Sequence, residues 1–343
     1  MMNEDSGDRY RADADESRPA DGSSLGSVLE TSRSSDGFET RAADSATEAD
    51  RSAAASQVGS VGGHATDAPA TNDSADDTTD PTAESGSVGA SAAGGKVYLV
   101  GSGPGDPKLL TRKAWGLLED TDFVLHDSLV SEDLLDQLPA SVKVVDVGKR
   151  PPDRTSQAEI NDMLVELARD GAAVVRLKGG DPHVFGRGGE EAQYLADADV
   201  PFEVVPGVSS AVAAPGVAGI PLTHRDCASS VTVITGHETP DKDESALDWG
   251  ALADTVVSGG TLVVLMGVRR LSNNVAALRE HGVPAETPVA MVQKATWRDE
   301  QTVSGTLATI EAEKEAAEVE PPAVTIIGDV VGVRGDTNEW LDR

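Results

Sequence analysis

Between residues 174 and 191 the chain reads VVRLKGGDPHVFGRGGEE, which gathers two cations, a carboxylate, a histidine and an arginine around two glycine turns. An apolar run with Val174, Val175 and Leu177 delivers Gly179-Gly180-Asp181-Pro182. Gly186-Arg187-Gly188-Gly189 then opens into Glu190, Glu191 and a helical pattern. Glycine lets backbone amides and carbonyls come close to a ligand, and a helix start offers unpaired N–H groups. This order suits a cradle for a polar small molecule. On residue types alone most such segments are surface turns joining a strand to a helix, because Asp-Pro is a frequent turn former.

A second glycine turn, Gly101-Ser102-Gly103-Pro104-Gly105-Asp106-Pro107, follows an apolar run and precedes a helical pattern. A dinucleotide fingerprint would place its third glycine one residue later, and Pro104 removes an amide where a pyrophosphate needs one. The acidic residue that would bind the ribose is also missing. A stiffened turn that meets a neutral or cationic ligand fits better than a phosphate site. His64, His126, His183, His224, His237 and His281 lack ligand-type spacing, so no metal is expected. The single Cys227 excludes an internal disulfide and a cysteine-rich metal site.

These turns need strands and helices to hold them. Apolar β runs recur at 96–100, 123–125, 142–147, 172–177 and 202–205, with helical period at 109–118, 157–170 and 190–198. Alternation of this kind predicts an α/β domain with a largely parallel sheet. After Val205-Pro206-Gly207 it resumes: a helix at 209–214, strands at 230–235 and 261–266, a helix at 271–281, and strands at 288–292 and 323–328. Residues 236–258 read as a polar loop with a short amphipathic piece. The expectation is two α/β domains, 96–206 and 208–335, with a ligand cleft between them lined by loops after strand ends.

Residues 1–94 carry 19 acidic and 6 basic residues, no lysine and almost no apolar periodicity. Such a segment cannot bury enough apolar surface to offset its chain entropy, so a disordered acidic tail is expected. It lacks the basic start and apolar core of a secretory signal, and no stretch is apolar for about 20 residues, as a membrane span requires. The remainder still contributes −18 to the net charge of −31, spread rather than blocked. That balance resists general binding to nucleic acid or anionic membranes. It fits a cytoplasmic protein adapted to high salt, where screening removes the repulsion among surface carboxylates; an acidic surface for a basic partner is the alternative.

Several segments carry a resemblance when taken in order: VGSGPGDPKLLT (100–111), DSLVS (127–131), GKR (148–150), RLKGGDPHVFGRGGEE (176–191), VPGVSSA (205–211), GIPLTHR (219–225) and ITGHE (234–238). Together they resemble the uroporphyrinogen-III C-methyltransferases, members of the tetrapyrrole methylases, over essentially the whole folded part. The resemblance implies S-adenosyl-L-methionine as methyl donor, uroporphyrinogen III as substrate, two methylations to precorrin-2 for siroheme or cobalamin, and a homodimer. It places the cofactor against Pro104, Gly179, Gly180, Asp181, Val184, Ser209, Ser210, Met266 and Ala295. His183 and Ser209-Ser210 depart from the family, which usually has an aromatic or aliphatic residue and Thr-Ala there. The ligand carries a sulfonium, an amine and a carboxylate but no phosphate, which agrees with turns that lack a phosphate-binding lysine. The resemblance also makes Asp127 the proton acceptor and Lys149 the proton donor. Residue types alone read them as a helix-capping Asp and a solvated Lys.

The substrate bears eight carboxylates and calls for a basic site. In so acidic a chain, Lys149, Arg150, Arg154, Arg176, Lys178, Arg187 and Arg225 fall near the glycine motifs. Arg150, Arg176, Lys178, Arg187 and Arg225 are accordingly expected to hold carboxylates, a task that guanidinium groups perform bidentately. A methylase of the same fold acting on a later corrin intermediate, a protein histidine or RNA is a second reading, and a dinucleotide oxidoreductase a third. Removal of residues 1–94 should leave methyl transfer intact in molar salt; a large loss of turnover in the truncated protein would make the tail part of the enzyme.

Overall fold

The computed structural model describes residues 95–148, 155–238 and 246–337. The expected acidic tail lies outside them, as do Lys149, Arg150 and Arg154. Two five-stranded sheets make up the described chain. The first takes β1 (Lys96–Gly101), β2 (Phe123–His126), β3 (Lys143–Asp146), β4 (Ala173–Lys178) and β5 (Phe202–Val205) in the order β3-β2-β4-β1-β5, all parallel. Helices α1 (Arg112–Asp120), α2 (Glu132–Leu135), α3 (Gln157–Arg169) and α4 (Gly188–Asp197) supply the crossovers.

Parallel strands buried on both faces read as near-continuous apolar runs, and β1, β2 and β4 do so. Because side chains alternate along a strand, each face takes its own set. Val97, Leu99, Leu125 and Val174 meet Ile160, Leu164 and Leu195 of α3 and α4, while Val100, Val124, Val175 and Leu177 meet Ala114 and Leu118 of α1. The register of α3 is set at its start, where Ser156 and Glu159 form a reciprocal capping box.

The chain leaves the first sheet at Val205 and enters α5 (Ser210–Val217). The second sheet holds β6 (Val231–Thr235), β7 (Thr261–Leu265), β8 (Pro288–Gln293), β9 (Gln301–Thr306) and β10 (Ala323–Ile327) in the order β6-β7-β10-β8-β9. Helices α6 (Trp249–Val257), α7 (Leu271–Glu280) and α8 (Ile310–Ala316) cover one face; α5 and α9 (Val330–Thr337) cover the other.

This sheet is mixed. Only β6 and β7 run parallel, β10 lies antiparallel between β7 and β8, and β9 returns antiparallel along β8. The sequence reading missed β9 and α8. QTVSGT is polar and its burial is only partial, as befits an edge strand, and IEAEKEA buries little besides Ile310. The amphipathic piece within 236–258 is the helix α6, anchored by buried Trp249, Leu252, Ala253 and Val256. Among the described residues no helix is long and apolar enough to cross a membrane.

Leu164 is fully buried between α3 and the first sheet. Leu164→Ala should therefore cost about 2–5 kcal/mol of stability, against about 0.5 kcal/mol or less for Val257→Ala on the exposed side of α6. Denaturant unfolding of the two variants distinguishes these outcomes.

Candidate active site

The C-terminal edge of the first sheet brings three turns into backbone contact. Beyond β1 and β4, Gly103 and Gly180 form an antiparallel bridge, with Gly180 N–H donating to Gly103 O at 2.8 Å and Gly103 N–H to Gly180 O at 3.1 Å. Gly103 and Gly180 have φ of 73° and 67°. A Cβ on Gly101 would stand 2.5 Å from Gly180 O and 2.6 Å from Gly207 N; one on Gly207 would stand 2.2 Å from Gly180 O. Only glycine permits this approach. Pro104, Gly179, Gly180, Ser209 and Ser210 are thus gathered at one place, since a Cβ on Gly180 would also lie 3.6 Å from Ser210 N.

Asp181 ties the turns together. Its Oδ1 accepts from the His183 amide at 2.9 Å and its Oδ2 from the Gly207 amide at 3.1 Å. Ser209 caps α5 by accepting from the Ala211 amide at 3.3 Å.

A turn from the second sheet closes on this edge. β7 and β8 both run antiparallel to β10, so Met266 after β7 and Ala295 after β8 occupy the same end of that sheet. The turn at residues 294–298 meets the first glycine turn directly. Trp297 Nε1 donates to Pro104 O at 2.9 Å, the Asp106 amide donates to Thr296 Oγ1 at 2.9 Å, and a Cβ on Gly105 would strike the Trp297 indole. Arg298 adds a two-point ion pair to Asp133 at 3.0 and 3.2 Å. Sequence reasoning missed Thr296, Trp297 and Arg298; a bulky aromatic in a polar turn, in a chain with four tryptophans, was the available signal.

Five of the seven non-glycine residues with positive φ among those described lie in these segments: Phe185, Arg187, Met266, Lys294 and Thr296. Backbone strain of this kind persists where the surroundings over-determine it, and it concentrates at ligand sites. The same segments leave apolar side chains in the open. Met266 is 52% exposed, and Leu129, Val184, Phe185 and Val208 are at least a third exposed. A close-fitting backbone cradle, with exposed apolar side chains such as Val184 in the same turns, matches a ligand with a polar amino-acid end and a flat apolar base.

Asp127 stands just past β2, its amide donating to Leu177 O and its side chain about a third exposed. Gly148 presses against it, with an added Cβ 3.0 Å from Asp127 Cα. Lys149 and Arg150 themselves lie outside the described residues.

The expected cationic cluster is corrected by its surroundings. Arg176 and Lys178 are each 2% exposed and turn their charges to protein carboxylates, not to solvent. Arg176 bonds Asp127 Oδ1 through Nη2 and Glu191 Oε1 through Nε at 2.9 Å. Lys178 Nζ lies 3.0 Å from Glu191 Oε1 and 3.6 Å from Asp127 Oδ2. Desolvation works against the charge on Arg176, but Asp127 and then Glu191 outweigh it and hold the guanidinium above its ordinary pKa. Arg187 is exposed and pairs with Glu190; their hydrogen bond is the main cause that raises the pKa of the arginine and lowers that of the glutamate.

Arg225 precedes β6 and lines a depression of about 470 Å³ with Asp226, Cys227, Ser258 and Asp329. That is the end of the second sheet opposite Met266 and Ala295, so these cations do not share one edge. Glu191 was quoted in the sequence block but given no role. Its signal is a charge on the buried stripe of α4, with Leu195 four residues on.

Known proteins are similar to this chain in sequence and fold. The family model for Tetrapyrrole (Corrin/Porphyrin) Methylases matches residues 96–311. An S-adenosyl-L-methionine-dependent uroporphyrinogen III methyltransferase from Methanosarcina barkeri is 52% identical over 238 residues, 69% of this chain and 92% of that protein. A uroporphyrinogen-III C-methyltransferase from Methanocaldococcus jannaschii is 45% identical over 70% of this chain and 98% of its own. The crystal structure of a uroporphyrin-III C-methyltransferase from Thermus thermophilus complexed with S-adenosylhomocysteine is 42% identical, with a TM-score of 0.59 over 69% of this chain and 99% of that one. With more than half its length matched by the family and its cradle of glycine turns intact, the chain belongs to the tetrapyrrole methylases.

Proposed function

We propose that the chain transfers two methyl groups from S-adenosyl-L-methionine to uroporphyrinogen III, giving precorrin-2 for siroheme or cobalamin. The observation that carries this is the backbone-lined cradle in which Gly101, Gly180 and Gly207 meet, with the turn at residues 294–298 of the second sheet packed against the first glycine turn. In this reading Pro104, Gly179, Gly180, Asp181, Val184, Ser209, Ser210, Met266 and Ala295 hold the methyl donor. Asp181 acts largely by fixing the turns, since both its oxygens accept backbone N–H groups.

The methyl donor supplies an electrophilic carbon on a sulfonium. An electron pair of a pyrrole carbon forms the new C–C bond, and the C–S bond breaks with its pair retained by sulfur. The alkylated ring carries the positive charge until a proton leaves to a base. The protein's part is to orient the two partners, exclude water and accept that proton. Asp127 is placed for the last task, at the rim of the first sheet and partly open to solvent. Lys149 is assigned the proton-donor role because it follows Gly148, which packs against Asp127.

With Arg176 and Lys178 engaged inside the protein and Arg225 at the far end of the second sheet, Arg150 and Arg187 are the cations assigned to substrate carboxylates. The Arg187–Glu190 pair is more than half exposed, so exchange of one carboxylate for another there costs little. A cytoplasmic homodimer, as the family likeness implies, completes the reading, and the spread negative charge supports adaptation to high salt.

Purified protein in molar salt should convert uroporphyrinogen III to a product two methyl groups heavier, with two equivalents of S-adenosyl-L-methionine consumed, as read by mass spectrometry. Binding of the methyl donor without label reaching the tetrapyrrole would sink the substrate assignment. Gly180→Val forces a β-branched residue into φ 67° between two turns and should abolish binding of S-adenosylhomocysteine in calorimetry; wild-type affinity would remove that turn from the site.

A further inference from the structure

Period two along β4 sends Arg176 and Lys178 to the face that carries Val174, toward α3 and α4. Elsewhere the cluster on this face is apolar. Opposite the two cations stands Glu191 of α4, fully buried. Its Oε1 accepts from Arg176 Nε at 2.9 Å, Lys178 Nζ at 3.0 Å and Gln157 Nε2 at 3.1 Å, while its Oε2 has no partner among the described residues. On the far side of the same two cations lies Asp127, and of the four charges it alone reaches solvent. The cluster is therefore a neutral relay of two cations between a buried anion and a rim anion.

Burying three charges does not stabilise a fold relative to well-packed apolar residues, and an orphan carboxylate oxygen adds to the cost. Stability gives no reason for this cluster to exist. Its one outlet, at Asp127, does.

We propose that Glu191 is a positioning residue for methyl transfer: it balances Arg176 and Lys178 from behind, so that they hold Asp127 at the rim without acting on that carboxylate alone. The proposal rests on the reading of Asp127 as proton acceptor. The groups facing Asp127 are Arg176 and Lys178 on β4, Glu191 through them, His126, whose Nδ1 lies 3.1 Å from the Asp127 carbonyl oxygen, and Asp146 on β3, in register with His126. From α3, Glu191 meets the neutral Gln157, which is bonded in turn to Asn161.

Replacing Glu191 by glutamine leaves both cations acting on Asp127 alone. Opposite charge favours the ionised carboxylate, so its proton affinity falls. Glu191→Gln in the full chain is expected to leave S-adenosylhomocysteine affinity within about twofold, to lower kcat about tenfold, and to move the acid limb of the kcat–pH profile down by about one pH unit. Glu191→Asp, which keeps the anion, should restore most of both. Lys178→Met removes a cation instead and should move the limb upward, which keeps the idea testable should the glutamine variant not fold.

Asp127→Asn should abolish the limb together with most of the turnover, and adding Glu191→Gln to it should cost nothing more. An unmoved limb in Glu191→Gln and Lys178→Met, or losses that multiply in the double variant, would overturn the positioning role. Wild-type turnover in Asp127→Asn is a separate outcome, and it sinks the proton-acceptor reading itself.

Discussion

Close backbone approach at the end of the first sheet is the constraint on which the rest of this molecule depends. β1, β4 and β5 finish side by side, and their exits pack carbonyl against amide with no room for a Cβ at Gly101 or Gly207. Everything else at the edge follows from that contact. Asp181 can span from one turn to the next only because the turns touch, and α5 starts at Ser210 because the exit from β5 is held there. The Pro104 carbonyl is presented to Trp297 for the same reason. A ligand entering such a place meets a surface already ordered, so little of its binding energy is spent on arranging the protein.

Two kinds of electrostatics coexist in the chain. The outside is diffusely negative, −18 from residue 95 onward, and its isolated ion pairs are exposed and weak. Inside the first sheet, Arg176, Lys178 and Glu191 sit in a low-dielectric setting where each charge acts strongly on the next. External salt screens the first kind and barely reaches the second. The cluster can thus keep the same local field at Asp127 whatever the ionic strength of the surroundings.

The sequence made the first half of the fold legible because its strands are apolar on both faces and its turns are glycine-rich. The run VVRLK carried an apolar signal strong enough to be read as a strand despite its charges. Their direction was not legible. Arg176 and Lys178 looked like strand-end cations facing a substrate, and only the placement of Glu191 on the neighbouring helix shows that they face inward. Nothing within β4 encodes that partner. The second sheet was harder for a different reason. Its antiparallel insertion of β10 depends on long-range pairing, and β9 has too little apolar character to declare itself. Of the candidate site, the glycine turns were readable only together, because one alone reads as a surface turn and their order along the chain is what sets them apart. Trp297 was not, because its role lies in a contact 193 residues away in sequence.

That contact also gives the enzyme a built-in optical probe. The Trp297 indole abuts Gly105 and hydrogen-bonds the Pro104 carbonyl, at the lip of the cradle and only partly shielded from water. Trp249, by contrast, is sealed in the core of the second sheet. Indole emission depends on local polarity and on hydrogen bonding at the ring nitrogen. A ligand reaching the first glycine turn would change the surroundings of Trp297 and leave those of Trp249 untouched, so these two indoles differ in what they can report.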